Sequence, residues 1–134
     1  MCRQGNGQTV LVVDDDKIIC DLICSVLSRC GFQVMAAPNG LKLVSCLRVN
    51  RPDLLLLDVS MSWIDGYQLC RMVRRLEGYE RIPIIFISAR SAPEDIQHGY
   101  ECGADDYITK PFDINELVRA IFKHLKLEPV AITN

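Results

Sequence analysis

The sequence lacks the features that mark membrane proteins, exported proteins and nucleic-acid binders. None of its apolar runs approaches the length that is needed to span a bilayer. The N-terminal segment MCRQGNGQ is polar and has no apolar core of the kind found in signal peptides. The net charge of -2 over 134 residues gives no electrostatic basis for binding nucleic acid or an anionic membrane. We therefore expect a cytoplasmic protein that binds neither of them directly.

Histidine is scarce, and the cysteines do not form a paired pattern. The two histidines, His98 and His124, are isolated in the sequence, and the seven cysteines include no C-x-x-C pair. This arrangement gives little support to a zinc site. An odd number of cysteines without an export signal also favours reduced thiols over disulfides. We expect the thiols to pack as small apolar side chains within helices.

Five short apolar runs alternate with helical patterns along the chain, and 49% of the residues are hydrophobic. The runs lie at residues 10–13, 33–36, 54–57, 84–87 and 107–109. The third and fourth runs, LLLL and IIFI, show no polar alternation, which is typical of central strands covered on both faces. The pattern predicts a single α/β domain with a doubly wound, five-stranded parallel sheet. Within the fourth helical pattern, Gly99 should weaken the helix by about 1 kcal/mol relative to alanine.

Polar residues that can bind ions or take part in reactions lie at the ends of four of the five predicted strands. Asp14 and Asp15 end the first strand, Asp58 ends the third, Ser88 ends the fourth and Lys110 ends the fifth. In doubly wound sheets, binding sites lie beyond the carboxyl ends of the strands. The five residues are therefore expected to meet at one edge of the sheet.

This group of side chains is suited to phosphoryl transfer. Carboxylates without histidine or thiolate are ligands for a hard cation such as Mg²⁺. A lysine and a hydroxyl suit an anionic partner, and a carboxylate can serve as the nucleophile. Taken singly, each residue also fits a simpler role in a turn, a salt bridge or a helix cap, and a cap is the interpretation we favour for Asp16. The joint placement at four strand ends favours the functional interpretation.

Two other classes of protein use related residues. A haloacid-dehalogenase-like aspartyl phosphatase also has a nucleophilic aspartate, but that class requires a second aspartate two positions later, where this chain has Ser60. A flavodoxin-like nucleotide binder requires a loop rich in glycine, serine or threonine after the first strand. The carboxylates at that position argue against such a binder.

The motifs together resemble the receiver domain of response regulators, the CheY-like family of two-component signal transduction. The matching segments are VLVVDDD at 10–16, PDLLLLDVSM at 52–61, DG at 65–66, PIIFISA at 83–89 and GADDYITKPF at 103–112. The resemblance covers residues 8–127 and implies the strand order 2-1-3-4-5. Residues 1–7 and 128–134 are expected to be flexible tails.

The resemblance also implies the residues of the metal and acceptor site. Asp58 would be the phosphoacceptor, modified to 4-aspartylphosphate. Asp15 would bind Mg²⁺ directly and Asp14 through water, with Asp58 and the backbone carbonyl of Ser60 as further ligands. Such a domain catalyses its own phosphorylation and dephosphorylation and is not a metabolic enzyme.

Residues of the last two strands would sense the phosphoryl group. By the same resemblance, Lys110 would pair with it, the hydroxyl of Ser88 would close on it, and Tyr107 would be the aromatic switch. The Lys110–Pro111 peptide bond is expected to be cis. Ser60 and Arg90, which flank the site, are expected to tune the lifetime of the phosphoryl group.

The implied partners are a sensor histidine kinase or a histidine phosphotransfer protein, with a downstream effector at the face of helix 4, strand 5 and helix 5. A degenerate receiver that acts only as an interaction module is an alternative. The sequence fits either a stand-alone receiver or one from a longer regulator or hybrid kinase. Many receivers carry Pro-Gly where this chain has Ser62 and Trp63. Two roles are open for the Trp63 side chain, a contact with a partner protein and packing on the local surface.

Overall fold

In the computed structural model of the protein, residues 7–61 and 64–127 are described, and within them five strands alternate with five helices. The strands are β1 (Thr9–Val13), β2 (Gln33–Ala37), β3 (Leu54–Asp58), β4 (Ile84–Ser88) and β5 (Asp106–Thr109). The helices are α1 (Lys17–Arg29), α2 (Gly40–Val49), α3 (Gly66–Arg75), α4 (Pro93–Glu101) and α5 (Ile114–His124). None of these helices combines the length and hydropathy that crossing a bilayer requires.

All strand pairs are parallel, and the sheet has the order β2-β1-β3-β4-β5, which confirms the expected fold. Every residue of β3 and β4 is buried, because helices cover both faces of the sheet at its centre. This burial explains why the LLLL and IIFI runs carry no alternation. The core forms two layers, one under α2 and α3 and the other under α1 and α5.

Polar side chains fix the starts of four helices next to the sheet edge. The carboxylate of Asp16 accepts hydrogen bonds from the backbone amides of Ile18 and Ile19, so Asp16 is the cap that the sequence favoured. Asn39, Asp65 and Asp113 cap α2, α3 and α5 in the same way. The buried cysteines pack in the core as expected; they are Cys20, Cys30, Cys46, Cys70 and Cys102.

Gly99 has a packing role that its cost to helix propensity does not reveal. A Cβ atom at this position would lie 2.8 Å from Cδ2 of Tyr107 and 3.2 Å from Cδ2 of Phe86. The absence of a side chain therefore lets α4 approach the aromatic rings of β4 and β5. The loss in helix propensity is the consequence of making room for Tyr107.

Arg74 joins α3 to the loop that follows it and to the turn between α4 and β5. Its guanidinium donates to the carbonyl oxygens of Gly103, Tyr79 and Ile82 and forms a 3.0 Å ion pair with Asp105. Arg74 is only 18% exposed, and such hydrogen bonds from a charged donor are stronger than neutral ones. The guanidinium thus fixes the turn that leads from α4 into β5.

Candidate functional site

The carboxyl ends of β1, β3 and β5 bring three charged side chains into contact. Nζ of Lys110 lies 2.8 Å from Oδ2 of Asp14 and 3.7 Å from Oδ2 of Asp58. Asp14 and Asp58 are 3% and 6% exposed, so both carboxylates are buried. One ammonium group therefore partly neutralises two carboxylates whose burial as ions would otherwise be energetically unfavourable.

The same edge contains a set of oxygen ligands for a cation. Carboxylate oxygens of Asp14, Asp15 and Asp58 all lie within 4.8 Å of one another. Two of these carboxylates are buried, whereas Asp15 is exposed and borders on solvent. When all groups are ionised, three carboxylates and one ammonium leave two uncompensated negative charges, which equals the charge of one divalent cation. The oxygen-only donor set and this charge fit Mg²⁺.

The electrostatics of the pocket shift two pKa values. Burial, followed by the charge of Asp14, raises the pKa of Asp58 to about 6, although Lys110 and the Ser60 amide act in the opposite direction. Burial alone would lower the pKa of Lys110, but its hydrogen bond to Asp14 and the charges of Asp14 and Asp58 raise it. Lys110 therefore stays cationic, and Asp58 carries an energetically costly negative charge at neutral pH.

The backbone after β3 holds Asp58 tightly against the start of α3. The amide of Ser60 donates to Oδ1 of Asp58 at 3.2 Å, and the amide of Gly66 donates to the carbonyl of Val59 at 2.8 Å. A Cβ atom at Gly66 would collide with the carbonyl oxygen of Asp58. The DG pair at 65–66 thus supplies both the helix cap and the close approach, a packing role that the sequence analysis did not assign.

Ser88 and Tyr107 are linked through the backbone of Arg90. The hydroxyl of Ser88 is fully buried and accepts a hydrogen bond from the Arg90 amide at 3.0 Å. The hydroxyl of Tyr107 donates to the Arg90 carbonyl at 2.7 Å. The proposed hydroxyl and the proposed aromatic switch therefore contact the two sides of one residue.

The side chain of Arg90 reaches across the site toward β3. Its Nε donates to Oγ of Ser60 at 3.3 Å, so the loops after β3 and β4 are bridged. The Lys110–Pro111 peptide bond is cis, as expected. Ser62 and Trp63 lie outside the described residues.

The structure thus brings Asp14, Asp15, Asp58 and Lys110 into one pocket and places Ser60 beside them. Ser88 and Tyr107 join this group through Arg90. The sequence analysis missed the contacts of Gly66 and Gly99. Their only signal was a glycine beside or within a helix, and this signal does not identify the atoms that approach.

Comparison with known proteins gives one consistent result. The family model described as response regulator receiver domain matches residues 10–122. The chain is 46% identical over 112 residues to the transcriptional regulatory protein CseB of Streptomyces avermitilis, covering 84% of this chain and 46% of that protein. It is 40% identical over 119 residues to the transcriptional regulatory protein YvrH of Bacillus subtilis, covering 88% and 49%. The chain spans about half the length of the curated relatives it matches.

Solved structures agree with this result. The fold is similar to the crystal structure of a putative response regulator from Chloroflexus aurantiacus, with a TM-score of 0.85 and 35% identity over 90% of this chain and 98% of that one. It is also similar to the signal receiver domain of a signal transduction histidine kinase from Syntrophus aciditrophicus, with a TM-score of 0.83 and 33% identity over 96% of this chain and 98% of that one.

Proposed function

The chain belongs to the response regulator receiver domain family, and from this membership we propose that Asp58 is the residue that accepts the phosphoryl group. Its position in the sheet carries the assignment. β3 lies between β1 and β4, so Asp58 has the cation ligands of β1 on one side and Ser88 on the other. Lys110 approaches from β5 and contacts both Asp58 and Asp14.

The proposed reaction transfers a phosphoryl group from a phosphohistidine of a sensor kinase or a phosphotransfer protein. An Oδ atom of Asp58 forms the bond to phosphorus, the phosphorus–nitrogen bond breaks, and the imidazole leaves with the electron pair and takes up a proton. Lys110 neutralises negative charge on the transferred oxygens. Asp14, Asp15, Asp58 and the carbonyl of Ser60 would hold Mg²⁺, which supplies further positive charge there.

The proposal also covers the extent of the receiver domain, its location in the cell and the surface through which it signals. We place the receiver at residues 8–127, in a cytoplasmic protein with reduced thiols. The hydroxyl of Ser88 moves toward the phosphoryl group, and Tyr107 follows through Arg90. The face formed by α4, β5 and α5 then presents a changed surface to a downstream effector.

The metal requirement is tested with acetyl phosphate as the donor. We expect intact-mass measurement to show one phosphoryl group per chain with Mg²⁺ and none after chelation. Asp15→Ala removes a ligand that borders on solvent and should raise the magnesium concentration for half-maximal labelling by about tenfold or more. An unchanged magnesium dependence in Asp15→Ala would contradict the ligand role of Asp15.

The proposed switch depends on the space that Gly99 leaves for Tyr107. Gly99→Ala should cost about 1 kcal/mol of stability, because overpacking against the ring outweighs the gain in helix propensity. In a Tyr107→Ala background the same substitution should cost less, because the 2.8 Å approach to Tyr107 is gone and only the 3.2 Å approach to Phe86 remains. Urea denaturation of the four proteins in this double-mutant cycle measures the coupling.

The exposed position Gln97→Ala on the same helix is the matched control and should show no coupling to Tyr107→Ala. An equal effect of Gly99→Ala in both backgrounds would show that the contact between Gly99 and Tyr107 does not determine the packing of α4.

A further inference from the structure

An apolar groove runs between α2 and α3 on the sheet face that carries both helices. It has a volume of about 460 Å³, and its walls are almost entirely carbon. The lining residues are Asn39, Gly40, Leu41, Val44, Ile64, Leu69 and Met72. Leu41, at the rim of the groove, is 86% exposed. Apolar surface of this kind favours association, because contact with a partner removes it from water.

The two helices that form the groove carry charge of one sign. Residues 40–51 contain Lys42, Arg48 and Arg51, and residues 66–76 contain three arginines, but neither segment contains an aspartate or glutamate. The whole chain has a net charge of -2, so this face differs in sign from the rest of the molecule. Arg51 is already engaged, since it bonds to the Gly78 carbonyl and stacks on Tyr79.

Other basic side chains of this face remain available to a partner. Lys42, Arg48 and Arg75 are exposed. Within residues 7–61 and 64–127, none of these three forms an ion pair. Their positive charge is therefore not compensated locally.

Basic residues lie on the groove side of both helices. Arg48 follows Leu41 by seven positions and Val44 by four, so helical geometry places all three on one face of α2. Arg75 follows Met72 by three positions on α3 and lies on the same side of that helix. The apolar groove thus lies near the amino-terminal ends of α2 and α3, and Arg48 and Arg75 lie beyond it toward the carboxyl ends of these helices.

We propose that this groove is the docking surface for an acidic amphipathic helix of a partner protein. Apolar side chains at helical spacing on the partner enter between Leu41 and Met72, while flanking aspartates and glutamates meet Arg48 and Arg75. This is the helix-in-groove mode of recognition, in which apolar anchors supply affinity and charge supplies orientation.

The same features argue against other occupants. A second copy of this chain would bring its own basic helices against these and place like charges together, since a twofold contact uses the same patch twice. A lipid surface is flat and leaves a concave groove unfilled. An apolar floor offers no hydrogen-bond donors to the bases of a nucleic acid.

The probe for this proposal is a synthetic peptide of roughly 18 residues, with leucines at helical spacing and glutamates at the other exposed positions. A second peptide carries lysine in place of each glutamate. With the full chain, the acidic peptide should bind and shift backbone amide NMR signals in residues 39–49 and 64–75. The lysine peptide should bind at least tenfold more weakly, because the basic rim repels it.

Matched variants locate the contact. Leu41→Asn should weaken binding of the acidic peptide at least tenfold, whereas Val49→Asn, which is on the same helix but outside the groove, should leave it unchanged. Arg48→Glu should weaken binding severalfold, whereas Arg119→Glu on α5 should not. All four residues are exposed, so melting curves are expected to show folded variants.

Three results would overturn the proposal. The first is equal binding of the two peptides or amide shifts outside the two ranges, because the groove and its charge would then not be the determinants. The second is an equal loss in Leu41→Asn and Val49→Asn. The third is binding to phosphatidylglycerol vesicles that Leu41→Asn abolishes, together with no binding of either peptide. That result would assign the face to a membrane surface.

Discussion

Asp58→Asn should abolish phosphorylation of the protein. With acetyl phosphate and Mg²⁺, the wild-type chain is expected to gain one phosphoryl group and the variant none, as measured by intact mass. The amide is not a nucleophile toward phosphorus, and it removes one of the negative charges that would hold the cation. The substitution keeps the shape of the side chain and an oxygen that can accept from the Ser60 amide, so the loss is one of chemistry rather than of fold.

Asp16→Asn is the matched control for this experiment. Asp16 lies beside the acidic pocket but caps α1, and asparagine caps helices about as well as aspartate. This variant should be labelled to the wild-type extent. Labelling of Asp58→Asn at the wild-type level, or a phosphoryl group found by fragmentation on Asp14 or Asp15, would contradict the assignment of Asp58.

The second large effect concerns stability without metal. In the presence of a chelator, the free energy of unfolding should fall as pH rises from about 4 to 7, by on the order of 3 kcal/mol from Asp58 alone. The pKa of Asp58 is about 6 in the folded protein, whereas the ordinary value is 3.8. Between these values the folded state holds a proton that the unfolded state has lost, so a rising pH favours unfolding. The contribution is complete below the unfolded pKa and is lost above the folded one.

Urea denaturation at several pH values isolates this contribution. Asp58→Asn cannot titrate, so its stability should vary less over the same range and exceed that of the wild type at neutral pH without metal. Mg²⁺ at neutral pH should restore stability to the wild type, because it binds the folded state preferentially. The same pH dependence in both proteins would show that burial of the Asp58 charge is not the cause.

The sequence predicted the parts of the fold that depend on regular patterns. Strand–helix alternation indicated the α/β class, and the unbroken apolar runs predicted the central strands because burial on both faces leaves no place for polar residues. The meeting of Asp14, Asp58 and Lys110 followed from topology alone, since parallel strands bring their carboxyl ends to one edge. The strand order came from the family resemblance and was confirmed.

Contacts between side chains distant in sequence could not be predicted in this way. The helix pattern showed the cost of Gly99, but its benefit depends on how closely α4 approaches Tyr107 in the folded sheet. The guanidinium of Arg74 donates to the carbonyl oxygen of Gly103, 29 positions away in the sequence. The collision that excludes a side chain at Gly66 likewise involves the backbone of another element. Local propensity carries no information on such distances.

The hydrogen bond from Tyr107 to the Arg90 carbonyl has a consequence for the fraction of the protein that carries a phosphoryl group on Asp58. Arg90 also donates to Ser88, so the positions of the ring and of the hydroxyl are set by one short backbone segment. If phosphorylation of Asp58 shifts the ring from this position to another, as proposed, then by linkage any ligand that binds only the shifted ring must favour phosphorylation by the same free energy. An effector on the α4, β5 and α5 face would then be more than a reader of the signal, because its concentration would help to set the steady-state level of phosphorylation.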